Sequence, residues 1–96
     1  MNEEKAWDLA MFLANAANNS ADFEVVKKEV EPYIDFMDYN ILCLFSYYCS
    51  VSESTDFYKK HKDFLLKVIE RTKKVKLHFT AAIRYELINN LVLNSL

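Results

Sequence analysis

Glycine is absent from this chain of 96 residues, glutamine is absent too, and proline occurs once, as Pro32. A chain without glycine lacks the one residue that enters positive φ at no steric cost. Tight β-hairpin turns rely on it, so the composition argues against an all-β or Rossmann-like fold. It also excludes the phosphate-cradling loop, the dinucleotide-binding turn and the nucleophile elbow, whose spacings are written in glycines. Helices tolerate the lack, because asparagine also enters the left-handed region at a helix end. Asn15, Asn18, Asn19 and Asn40 are available for that task.

Cysteine is scarce, with only Cys43 and Cys49. On one helix they stand about 9 Å apart along the axis, beyond disulfide reach. Two free thiols suit a reducing compartment. The acidic start Met1-Asn2-Glu3-Glu4 has neither the basic nor the apolar part of a signal peptide. No apolar run approaches the roughly 18 residues of a membrane span. The expectation is a cytoplasmic protein that does not enter membranes.

What is present is apolar: hydrophobic residues make up 52% and charged residues 27%. That is ample apolar surface to offset the entropy of ordering, in a length that suits one domain over residues 1–96. The periodicity is helical. Ala6, Leu9, Ala10, Leu13 and Ala17 predict a first helix from Glu3 to Ala17. Asp22 is a candidate cap for a short helix from Phe23 to about Glu31, with Val26 and Val30 inward and Pro32 ending it. A third helix starts between Tyr33 and Asp38 and ends near Ser50. A fourth opens at Ser54 or Thr55 and runs to Lys74, burying Phe57, His61, Phe64, Leu65, Val68, Thr72 and Val75. The last starts at 77–80, with Ala81, Ala82, Tyr85, Ile88 and Val92 inward and Glu86, Asn89, Asn90 and Asn94 outward. The predicted fold is all-α, a small antiparallel bundle of four long helices and one short one.

Two features stand out. First, residues 1–56 hold eleven acids and three bases, whereas 57–96 hold three acids and nine bases. One explanation is mutual attraction inside the bundle, with a salt-bridged solvated face on the fourth helix. Another is an acidic-aromatic docking surface for a basic protein, built from Glu31, Tyr33, Asp35, Asp38 and Tyr39. A third is phosphate contact by the basic helix 57–76. We favour the protein surface over nucleic acid. The net balance is acidic, and with no glutamine and only Arg71 and Arg84 the chain has few side chains for base edges.

Second, from Ile41 to Cys49 only Ser46 is clearly polar. A helix apolar all round is either buried all round or completed by a partner. Tyr47 and Tyr48 are the residues expected at the edge of such an interface, since tyrosine joins a large apolar body to a hydroxyl.

No pattern calls for a catalytic residue, a cofactor or a metal. Cys43, Cys49, His61 and His78 match no common zinc spacing, and His61 falls on the inner stripe of its helix. A Cys–His nucleophilic pair would have to be assembled in space.

The hairpin from Tyr39 to Val75, with Leu42, Phe45, Tyr48, Phe57, Phe64 and Val68, resembles one unit of a tetratricopeptide-type repeat over about a third of the chain. It lacks the small glycine position and a second unit at that period. In size and acidic helical character the chain is also similar to bacteriocin immunity proteins, a likeness of type that carries over no residues. These resemblances imply a self-associating helical module in the first case. In the second they imply a stoichiometric binder, such as an immunity protein, antitoxin, phage-borne inhibitor or small regulator. The expected partner is a protein of basic character or a second copy of the chain.

Overall fold

The structure, a computed structural model, describes residues 2–51 and 55–94. Its elements are α1 (Glu3–Asn18), α2 (Phe23–Val30), a 3-10 segment (Glu31–Phe36), α3 (Tyr39–Val51), α4 (Thr55–Lys60), α5 (Lys62–Thr72) and α6 (Phe79–Asn94). No strand occurs among the described residues. The fold is an all-α helical bundle.

Local chemistry sets most of the helix ends. Asn2 accepts the Lys5 amide and Asp22 the Glu24 amide, each capping the helix that follows. Asp38 accepts the Ile41 amide at 2.9 Å and so starts α3. His78 accepts the Ala81 amide through Nδ1 and starts α6. α1 ends with Ser20 in the left-handed region, φ 52°, while the Ala21 amide reaches back to the Ala16 carbonyl. That is a Schellman-type stop, and serine takes the position for which the asparagines were expected. α2 ends at Val30, close to the expected Glu31, but not by the expected route: Glu31 keeps helical angles, φ −52° and ψ −42°, and the chain runs on through Pro32 as 3-10 turns.

The fourth helix departs from expectation. His61 lies between α4 and α5, outside helical geometry at φ −111° and ψ 26°. Helical spacing cannot reveal this break, because Phe57, His61, Phe64, Leu65 and Val68 still face inward and are buried. The expected opening at Ser54 lies outside the described residues.

The buried side chains form one continuous cluster, with Phe23 at its aromatic centre. Its ring meets Phe57 edge-on at 4.2 Å, Phe64 at 5.7 Å and Tyr48 at 6.2 Å between centroids. α3 is the central helix, packed against α1 on one side and α6 on the other. Ser46, the polar residue of the run from Ile41 to Cys49, is buried and donates to the Cys43 carbonyl at 2.8 Å. Three buried tyrosine hydroxyls fasten α3 to its surroundings: Tyr48 donates to the Ala21 carbonyl, Tyr58 to that of Cys49 and Tyr85 to that of Leu42. Burial pushes the Tyr58 hydroxyl up to about 12 and raises Tyr85 well above the usual range. On α6, Ala81, Tyr85, Ile88 and Val92 are buried, but Ala82 is exposed rather than inward.

Candidate functional site

The residues expected to form one acidic-aromatic surface divide among three environments. Tyr48 is core: it is 1% exposed and hydrogen-bonded at the end of α1. Its assignment to an interface edge is corrected on that ground. Adjacent side chains on a helix point about 100° apart, and Tyr47, 43% exposed, takes the outward direction instead. Tyr33 is half-buried against the core, with the Lys5 ammonium 4.7 Å above its ring.

Glu31 and Asp35 occupy the second environment. They line a cleft of about 550 Å³ whose opposite wall is α5, through Lys67, Glu70, Arg71 and Lys74. Arg71 also donates Nε–H to the Met37 carbonyl at 3.0 Å. Elsewhere Glu24 pairs with Lys60 at 3.2 Å and Glu29 with Lys5 at 3.7 Å. Of these pairs, Glu24–Lys60 joins the acidic first part of the chain to the basic second. Lys67, Arg71 and Lys74, weighed for phosphate contact, share the cleft with Glu31 and Asp35.

The third environment is the outer side of α3. Tyr39, Cys43 and Tyr47 follow one another at spacings of four and so share a face. On the α1 side lies a groove of about 560 Å³ lined by Trp7, Met11, Ala14, Cys43 and Leu44, among others. The charged residues lining it are Glu3 and Asp38, both acidic. On the α6 side, the His78 ring meets Tyr39 edge-on at 5.6 Å and the Arg84 guanidinium lies 5.6 Å from the Tyr47 ring centroid. α3 itself, from Tyr39 to Val51, contains no charged residue.

Trp7 was not among the expected site residues, yet it is 67% exposed, and Met11 beside it is also exposed. The signal was available in the sequence. Leu9, Leu13, Ala16 and Ala17 set the inner stripe of α1, and Trp7 and Met11 fall on the opposite side of the wheel.

The face offers little chemistry. Burial raises the Cys43 thiol above its usual range, although Tyr39 and Arg84 oppose the shift. Burial raises the Cys49 thiol well above its usual range. Both thiols are free. Among the described residues no group of His, Cys, Asp and Glu is arranged to hold a metal ion, and no helix is long and apolar enough to cross a membrane. Comparison with family models, curated proteins and solved structures finds no match to this chain.

Proposed function

We propose that the protein works by stoichiometric binding to another polypeptide, and that the outer face of α1 and α3 is where it binds. The observation that carries this reading is the groove beside Trp7 and Met11. It is apolar and open, and the charges at its edge are carboxylates only. An exposed tryptophan with a methionine beside an uncharged helix is what an interface core requires, since aromatic anchors and methionine are enriched there and charge is depleted. The chemistry selects a partner segment with an apolar stripe and basic flanks, laid along the groove as a helix lays its apolar face into another protein. Asp38 and Tyr39, named from the sequence, stand at the start of this face, and Tyr47 stands further along α3. A protein of this kind regulates or inhibits by occupancy, in the manner of an antitoxin or immunity protein, and needs neither cofactor nor catalytic group.

Trp7 is the only tryptophan, so its emission reports directly on the groove. The probe is an amphipathic helical peptide with leucines on one side and lysines at both ends. It should shift Trp7 emission to the blue saturably at one equivalent. The same peptide with glutamates at its ends should bind at least about tenfold more weakly, as like charges at the rim repel. Equal response to both peptides, or to neither, contradicts the proposal.

A further inference from the structure

We propose that His61 is an acid-operated latch on α4. When its ring takes up a second proton it leaves the core towards Glu24, and α4 comes away from the core with it, uncovering Phe23, Phe57 and Tyr58.

The setting of the ring makes it a latch. It is 6% exposed and lies against Phe23 at 4.5 Å between centroids, with Phe57 at 6.1 Å. Nε2 stands 3.5 Å from a Glu24 carboxylate oxygen, while the buried Nδ1 has no partner. A neutral imidazole carries one N–H, and Nε2 is where that N–H meets an acceptor. Protonation turns the unpaired acceptor at Nδ1 into an unpaired donor on a charged ring. Burying charge with a donor unmet is far less favourable than burying a neutral ring. The charged groups acting on His61 are Glu24, Lys27 and Asp22, from α2 and its cap, and Lys60 from α4; α5 adds none to that set. Burial and the two lysines outweigh the two carboxylates, so the ring binds its second proton less readily in place than in water. The imidazolium is accommodated better outside the core than within it.

The element that gives way is α4. His61 is the joint between α4 and α5, at φ −111° and ψ 26°. A residue at such a joint absorbs the dihedral change when one element moves against the other. α5 is fixed by Phe64, Leu65, Val68 and Ile69, all buried, and by the bond from Arg71 to the Met37 carbonyl. α4 has six residues, too few to persist as a helix in water without packing. Phe57 and Tyr58 hold it to the core, and the Tyr58 hydroxyl reaches the Cys49 carbonyl at 3.4 Å, which is long for such a bond. Lys60 holds it to α2, at 3.2 Å from the same Glu24 oxygen that faces His61. An imidazolium moving outwards takes over that oxygen and displaces Lys60. The step that frees the ring therefore also breaks the ion pair between α4 and α2.

A proton NMR titration of the whole chain from pH about 8 to about 4 follows the His61 ring and the ring-to-ring contacts together. At the upper end Phe57 should show its contact with Phe23, 4.2 Å between centroids. That contact should fade with the midpoint of His61 itself, to about a tenth at one pH unit below it. The Phe45–Phe64 contact, away from α4, should persist. His61→Phe takes up no proton and should keep Phe57 on Phe23 over the whole range. A Phe57–Phe23 contact that survives protonation of His61 overturns the inference. Loss of both contacts at one pH also overturns it, since the whole chain then unfolds and no latch exists. Loss of the Phe57 contact in the folded His61→Phe variant overturns it as well. Should that variant not fold, the native chain alone decides, because its two contacts either part company or do not.

Discussion

Two grooves of nearly equal size, about 550 and 560 Å³, sit on opposite sides of the charge question posed by the sequence. The first, between the 3-10 segment and α5, brings Glu31 and Asp35 against Lys67, Arg71 and Lys74. Charges of both signs line it, and Arg71 donates a hydrogen bond to the backbone of Met37. The second, between α1 and α3, is apolar and holds only carboxylates at its edge. A groove lined by both signs of charge and tied to the backbone through Arg71 serves the fold. An apolar groove with one sign of charge is incomplete in water, because the exposed Trp7 beside it forgoes burial and, among the described residues, no cation lines it. The sequence shows acids and aromatics in both places, and only packing tells them apart.

The same contrast exists on a smaller scale at α3, and the largest effect is expected there. Tyr48→Ala should cost about 3–5 kcal/mol of stability, the range for removing a large buried side chain. Tyr47→Ala should stay within about 0.5–1 kcal/mol. Chemical denaturation followed by circular dichroism separates them, and equal losses would erase the distinction between inner and outer tyrosines.

Next comes the structural groove. Arg71→Met should cost about 1.5–3 kcal/mol, since it deletes a charged donor to a part-buried carbonyl. Trp7→Ala, in the other groove, should cost no more than about 0.5 kcal/mol. Denaturation midpoints that invert this order would make the apolar groove the structural one.

A smaller effect comes from His61, buried beside Phe23 at 4.5 Å between ring centroids, with Nε2 3.5 Å from Glu24 and Nδ1 unpartnered. Burial lowers its pKa, against the pull of Glu24 and Asp22 and with help from Lys27 and Lys60. The unfolded chain therefore takes up the proton more readily. Stability is full above the unfolded value of about 6.5 and declines as pH falls from there towards the depressed folded value. His61→Phe should flatten melting temperature across that window. A slope unchanged by the substitution would assign it to other groups.

The smallest effect is expected from Glu31→Gln with Asp35→Asn. Both carboxylates are exposed, surface charges contribute about 0–1 kcal/mol, and the response of Trp7 to peptide should not change. A lost response would return the binding face to the 3-10 segment.

How much of this was legible follows from the same physics. Caps and stripes are local, so Asp22, Val26, Val30 and the inner residues of α5 were readable from spacing and side-chain chemistry. The break at His61 was not, because the residue keeps its inward phase on both sides of it. The choice of Ser20 for the left-handed turn was hidden among neighbouring asparagines that tolerate it as well. Tyr47 and Tyr48 differ only in which way α3 is turned, and α1, α6 and the hydroxyl contact at Ala21 decide that. Trp7 was legible as an off-stripe residue, but its groove needs α3 beside it, and no spacing within α1 announces that neighbour.

The contrast between the grooves is tested most directly by placing a photoreactive phenylalanine analogue at Met11 in one sample and at Lys67 in another. The two positions line the apolar groove and the groove of mixed charge respectively. Irradiation in the native host, followed by denaturing electrophoresis, reads out which groove touches another polypeptide. The account predicts a discrete covalent adduct from position 11 and none from position 67. An adduct from position 67 alone would contradict it.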